Sequence, residues 1–254
     1  MKRFLLVFSL IFMTFSAFGQ IRNVAQFREK KIGFYCEKDF NRVVNNIEQE
    51  LSFLEQHKSE YSQELYLTIK NSLLVDKLFF SLENEELPKS KKTQFKKLFL
   101  DQEEVCDDFM GRKSYSEFSG DFLASLGDLK CQMPFVISIP AAIPKLIKSK
   151  DLYNNAVKNN PSCANLISQA LWYEYSPGIS GGSHKKAYEI VQKAEAAADT
   201  KGDKYFALMF KGQILNSLKR YDESMAAFRT AHNMFPEETF TAYMSEKLDI
   251  ELDF

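Results

Sequence analysis

Apolar side chains recur along this chain at the spacing of α-helices. Between Phe34 and Leu87 there is neither glycine nor proline, and within that span Phe40, Val43, Val44, Ile47, Leu51 and Leu54 fall at offsets of 0, 3, 4, 7, 11 and 14. Offsets of three and four lay one stripe along a helix, leaving Asn, Glu and Gln on its other faces. A second stripe runs through Leu65, Ile69, Leu73 and Phe80 and stops before Pro88. Phe95, Leu98, Phe99, Val105 and Phe109 fit a third helix in a Lys- and Glu-rich setting, whose charges read most simply as solvated faces. Ser116 to Gln132 gives a further short helix, weakened by Gly120 and Gly127. The apolar stretch 133–147, MPFVISIPAAIPKLI, is interrupted at Pro134, Pro140 and Pro144. It is too short and too broken to span a membrane. A buried connector between helical layers is the plain reading, and a loop that touches a membrane or a partner is the sharper one.

From Asp203 onward the pattern becomes specific. With Tyr205 as position 1, Leu208 falls at 4, Gly212 at 8, Leu215 at 11, Tyr221 at 17, Phe228 at 24, Ala231 at 27 and Pro236 at 32. This segment, 204–236, resembles a tetratricopeptide repeat, a helix–turn–helix unit of 34 residues. Small residues at 8 and 27 let paired helices approach, the aromatic at 24 fills the gap between them, and proline at 32 stops the second helix. Leu208 stands where the family usually has Trp, and Ser224 where it has Ala. A weaker copy precedes it, with Leu166, Ala170 and Tyr173 at 4, 8 and 11, and Ala187, Val191 and Ala194 at 20, 24 and 27. A partial third ends at YNNAVKNNP, where Tyr153, Ala156 and Pro161 match 24, 27 and 32. The excess over two periods between Pro161 and Pro236 is placed mostly in SPGISGGS, residues 176–183. The repeats cover roughly residues 145–240, and the N-terminal helices extend or cap the stack. The terminal helix would turn Phe240, Met244 and Leu248 inward. The ALWYEYSP helix and the GGS-type loop before KKAYEIVQKAE make the chain similar to exported tetratricopeptide proteins that include the T component of periplasmic TRAP-type transporters. That resemblance implies an all-helical periplasmic protein partnering a solute-binding protein.

Composition changes the picture mainly at the N-terminus. Lys2 and Arg3 precede a fifteen-residue apolar run, Phe4 to Phe18, and Ala17 and Gly19 supply small side chains before Gln20. This reads as a cleaved secretory leader over 1–19. The organisation expected is then an N-terminal helical region at 20–132, the proline-interrupted connector at 133–147, and repeats with a C-terminal capping helix at 148–254. The fold class is all-α, a tetratricopeptide-like solenoid of helical hairpins with additional N-terminal helices. Only 10 Gly and 7 Pro punctuate 254 residues, which disfavours an all-β chain. The 33 basic and 34 acidic residues nearly cancel, which argues against nucleic acid as a partner. Cys36, Cys106, Cys131 and Cys163 have no CxxC spacing, and in an exported chain either one disulfide or buried free thiols fits them.

Candidate chemistry is sparse. His57, His184 and His232 are far apart, no GxxxxGK[ST] or G-x-S-x-G motif occurs, and the acidic run at Glu103, Glu104, Asp107 and Asp108 lacks a calcium loop. No cofactor, metal or enzymatic activity is expected. In the loop from Gly178 to Lys186, Ser183 is placed as an N-cap. The amides of Ser180, Gly181, Gly182 and Ser183, with Lys185 and Lys186 a turn away, suit an anion. The plainer reading is a tight connector. The concave face of such a stack takes positions 2, 5, 9 and 12 of its first helices: Phe206, Met209, Gln213 and Asn216, with Ile167, Leu171 and Glu174 beside Tyr175. A mixed apolar and amide groove suits a peptide or an amphipathic helix. It is equally open to cover by the N-terminal helices. Trp172, among aromatics in LWYEY, is core or a stacking wall. The expectation is a non-enzymatic periplasmic scaffold that binds an exported protein or peptide through the groove. The alternative is a transport accessory or small-ligand carrier with a pocket near the GGS loop.

Overall fold

The computed structural model describes residues 21, 23–82 and 86–248. The expected leader lies outside the described residues. Every regular element among them is helical: α1 (Val24–Tyr35), α2 (Phe40–Gln56), α3 (Gln63–Phe80), α4 (Lys89–Met110), α5 (Gly120–Cys131), α6 (Met133–Val136), α7 (Ile139–Asn159), α8 (Cys163–Tyr175), α9 (His184–Ala196), α10 (Lys201–Ser217), α11 (Tyr221–Met234) and α12 (Phe240–Lys247), with three single turns of 3-10 helix. Their starts follow from local side-chain chemistry. Asn23, Asp39, Ser62, Ser119, Ser162, Ser183 and Thr200 each accept from a backbone N–H within the next three residues. Each such cap satisfies amides that the first turn leaves without a helical acceptor.

Four antiparallel hairpins stack in sequence: α3/α4, α5/α7, α8/α9 and α10/α11. Their first helices form one row, with α3 against α5, α5 against α8 and α8 against α10. Apolar side chains between the rows make a continuous core, and all the repeat positions expected of the middle unit, from Leu166 to Ala194, are buried there. In the last unit a methyl group on Gly212 would lie 3.0 Å from the Phe228 ring, so the small residue and the aromatic interlock as their spacing predicts. The same device appears two units earlier, in α5/α7: a methyl on Gly127 would meet the Tyr153 ring at 2.7 Å. The glycine that weakened the α5 prediction is thus the contact that α5 needs with α7.

Two expectations change. Residues 133–147 form α6 and the first turns of α7 rather than a connector. Pro134 and Pro140 occupy first-turn positions, where a missing N–H loses no helical bond. Nor do the charges of α4 all lie on a solvated face. Lys130 of α5, only 1% exposed, donates to Glu103 at 2.5 Å and to Asp107 at 3.3 Å. Lys145 of α7 pairs with the same Glu103, and Lys148 with Asp107 at 3.1 Å. This network ties α4, α5 and α7 together. All four cysteines are free thiols, Cys106 and Cys163 buried. Burial pushes the thiols of Cys106 and Cys131 up to about 11 and that of Cys163 to about 12.

The N-terminal helices close the stack. Helix α2 packs along α3, while α1 touches both α3 and α10, the first and last helices of the inner row. Tyr35, at the end of α1, sets its ring edge-on to Phe80, Phe206 and Phe240, with centroids at 5.4, 5.0 and 4.8 Å. Phe40 joins Phe80 to Tyr243 of the C-terminal cap. Phe240 is buried, and Met244 and Leu248 pack against the core as the sequence pattern places them.

Candidate functional site

The inner row carries carboxylates where a groove of apolar and amide side chains was expected. Asp76 of α3, Asp121 and Asp128 of α5, and Asp203 of α10 belong to it. Helix α1 supplies the cations they meet. Arg28 donates to Asp121 at 2.7 Å and lies 3.6 Å from Asp203, and Lys31 pairs with Asp76 at 2.9 Å. The Tyr35 hydroxyl donates to Asp76 at 3.3 Å. Glu29 accepts from the Gly202 amide at 3.1 Å, an anion beside the positive end of α10. That approach needs a glycine: a methyl at Gly202 would lie 2.6 Å from the Glu29 carboxylate and 2.7 Å from Ile32.

Burial raises the proton affinity of Asp76, Asp128 and Asp203. It pushes Asp128 up to about 6, although the hydroxyls of Tyr153 and Ser168, donating at 2.9 and 3.1 Å, act in the opposite direction. Asp76 and Asp203 are raised by burial as well, against the pull of Lys31 and Arg28 respectively. An aspartate kept half-dry in this way is expensive to leave ionised without a countercharge. Among the described residues, the ion pairs of Asp76, Asp121 and Asp203 all come from α1.

The residues expected to line the groove divide between three places. Phe206 lies against Tyr35, covered by α1, and Met209 is fully buried. Glu174, Tyr175, Gln213 and Asn216 stand at the C-terminal ends of α8 and α10. Gln213 donates to the Tyr175 hydroxyl, and Glu174, buried, contacts His184 at 2.9 Å. The side-chain oxygens of Gln213 and Asn216 are buried without a hydrogen-bond partner, while the Tyr175 ring is 67% exposed. The ends of α8 and α10 thus form a polar rim whose exposed member is Tyr175.

The glycine loop meets that rim through the Glu174–His184 contact, but its own amides are already bonded. The amides of Ser180 and Gly182 donate to Pro177, that of Gly181 to Gly178, and that of Ser183 to Tyr173, at 2.8 to 3.1 Å. The Ser183 hydroxyl caps Lys186. All four amides proposed for an anion are therefore engaged within the loop, which leaves Lys185 exposed beside a self-satisfied turn. Gly181 sits at φ 92°, a left-handed value open to glycine. Trp172 is buried, with the Lys150 ammonium 4.7 Å above its ring, so it belongs to the core. Ile179, 99% exposed, is the apolar tip of the loop. Ile139, Ile143 and Ile147 form a second exposed apolar line along α7.

Sequence reasoning missed the aspartates and their α1 partners. Their signal is local and faint: Asp76 interrupts LLVDKLFF and Asp128 interrupts LGDLK, charges inside otherwise apolar helix faces. Among the described residues no group of three or more His, Cys, Asp or Glu is arranged to hold a metal ion, and no helix is long and apolar enough to cross a membrane.

No protein-family model matches this chain, and no curated protein matches it. Among solved structures it aligns with a tetratricopeptide-repeat protein of the thermophile Thermus thermophilus, over 80% of this chain and 98% of that one, with 14% identity and a TM-score of 0.49. A likeness at that level carries no argument, and the repeat architecture rests on the four hairpins themselves.

Proposed function

We propose that the chain is an exported, non-enzymatic scaffold of the tetratricopeptide kind, which engages a protein partner through the inner face of its hairpin stack. The observation that carries this reading is the polar rim at the ends of α8 and α10. There the buried oxygens of Gln213 and Asn216 have no hydrogen-bond partner and an exposed Tyr175 stands beside them. Buried acceptors without donors are costly, and a partner that displaces the exposed Tyr175 side chain, to which Gln213 donates, would bring donors to them. An aromatic ring next to such acceptors is the common make-up of an energetic centre in protein interfaces. The leader pattern of residues 1–19 supports export, and the likeness to the T component of TRAP-type transporters makes a solute-binding protein the first partner class to examine.

Met209 is buried, so changing it would test folding. Tyr175→Ala with Asn216→Ala alters the rim alone. A periplasmic fraction passed over wild type and this double variant should give a polypeptide that the wild type retains and the variant loses. Identical retained sets on both would overturn the reading. Cell fractionation with intact-mass measurement checks export: the mature chain should lack residues 1–19.

A further inference from the structure

We infer that the inner face is a receptor for a basic amphipathic helix and that α1 is the chain's own stand-in for that partner. The inference rests on the scaffold reading and names the chemistry of its ligand. Asp76, Asp121 and Asp203 come from three different helices of the inner row, yet their ion pairs converge on two cations of one helix, Arg28 and Lys31. Residues three apart share a helix face, so the aspartates read a spacing as well as a charge. Phe27, Ile32 and Tyr35, the buried residues of α1, flank those cations and supply its apolar anchors. Asp128 adds a fourth acidic group within the field of Lys31. Without α1 the row would present these aspartates with no cation of its own among their described ion pairs. A partner helix carrying two basic residues at i and i+3, with apolar anchors on either side, meets the same groups.

The two ends of α1 are held differently. Its final turn is packed among Phe80, Phe206 and Phe240, whereas its earlier turns combine buried Phe27 with the ion pairs of Arg28 and Lys31 and the Glu29 contact with the Gly202 amide.

The test uses the full chain and a synthetic peptide of residues 23–35. Arg28→Glu with Lys31→Glu places like charges against the aspartates and drives α1 off. Fluorescence anisotropy should show the labelled peptide binding this variant at least about tenfold more tightly than wild type, a shift of about 1.4 kcal/mol. That binding should weaken as salt rises, and it should be lost when Asp121→Asn and Asp203→Asn are added. Equal binding to the variant and the wild type would overturn the inference. If the variant does not fold, hydrogen exchange on wild type decides. Added peptide should speed exchange of amides 24–35 while those of α5 and α10 are unchanged, and unaltered protection of 24–35 would overturn it. Failure here leaves the rim experiment with Tyr175 and Asn216 untouched, so the two readings fail separately.

Discussion

Asp128 shows how one residue's surroundings set a property of the whole chain. In an unfolded chain its carboxyl would titrate near 3.9, whereas burial pushes it up to about 6 in the fold. Between those values the native protein holds a proton that the unfolded chain has lost. Stability therefore falls as pH rises from about 4 to about 6, and it is level above that as far as this group is concerned. Burial raises Asp76 and Asp203 in the same direction. Asp128→Asn should flatten the slope and gain at most about 3 kcal/mol near pH 7, at about 1.4 kcal/mol per pH unit, less whatever the altered hydrogen bonds cost. Urea midpoints at pH 4, 5, 6 and 7 measure this. A variant whose slope matches wild type would place the titration elsewhere. The free cysteines behave in the opposite sense to reactive ones, because burial keeps them protonated and poorly nucleophilic.

At the scale of elements, the hairpins depend on pairs in which one helix gives up a side chain so that the other can insert a ring. Gly212 faces Phe228, and Gly127 faces Tyr153. In the last unit the Ser224 hydroxyl also donates to the Gly212 carbonyl at 2.7 Å, which ties α11 to α10 at the point of closest approach. Ser224, a departure from the usual alanine, thus adds a bond between the helices. Phe228 is fully buried and has no room to retreat. Gly212→Val should therefore cost about 2–3 kcal/mol, the scale of overpacking in a filled core. A valine at exposed Ser217 on the same helix should change stability by about 0.5 kcal/mol or less. Valine is a better helix former than glycine, so a loss of thermal stability at position 212 without one at 217 reports overpacking against Phe228.

The molecule as a whole is closed by contacts between residues some two hundred positions apart, in which Tyr35 meets Phe206 and Phe240. A repeat stack with only nearest-neighbour contacts would unfold from its ends. Here the N-terminal helices and the C-terminal cap share one aromatic cluster, so loosening one loosens the other. Tyr35→Ala should cost about 3 kcal/mol, at the lower end of buried aromatic truncations. It should raise hydrogen exchange in α1 and α12 together and leave α8 and α9 near their wild-type protection. Exchange rising in α1 alone would mean that the two termini are not coupled through this ring.

The local part of this architecture is written in the spacing of neighbouring residues. Helix periodicity, Ser, Thr, Asn and Asp caps, and small-residue and aromatic spacing within 34 residues are all encoded by neighbours a turn or a hairpin apart, and they located α8 to α11 and the inward face of α12. The proline-rich stretch misled, because whether Pro134 and Pro140 break a helix or begin one depends on where the first turn falls. Gly127 misled for a related reason: its value lies in the ring of Tyr153, which propensity alone does not register. What the inner face carries follows from how distant helices meet in the fold. The pairing of Arg28 with Asp121 and Asp203, the seat of Tyr35, and the covering of Phe206 all depend on α1 returning across helices 90 to 210 positions away. Such contacts are long-range in sequence and leave no periodic trace, so the covering of the groove by the chain's own first helix belongs to the fold alone.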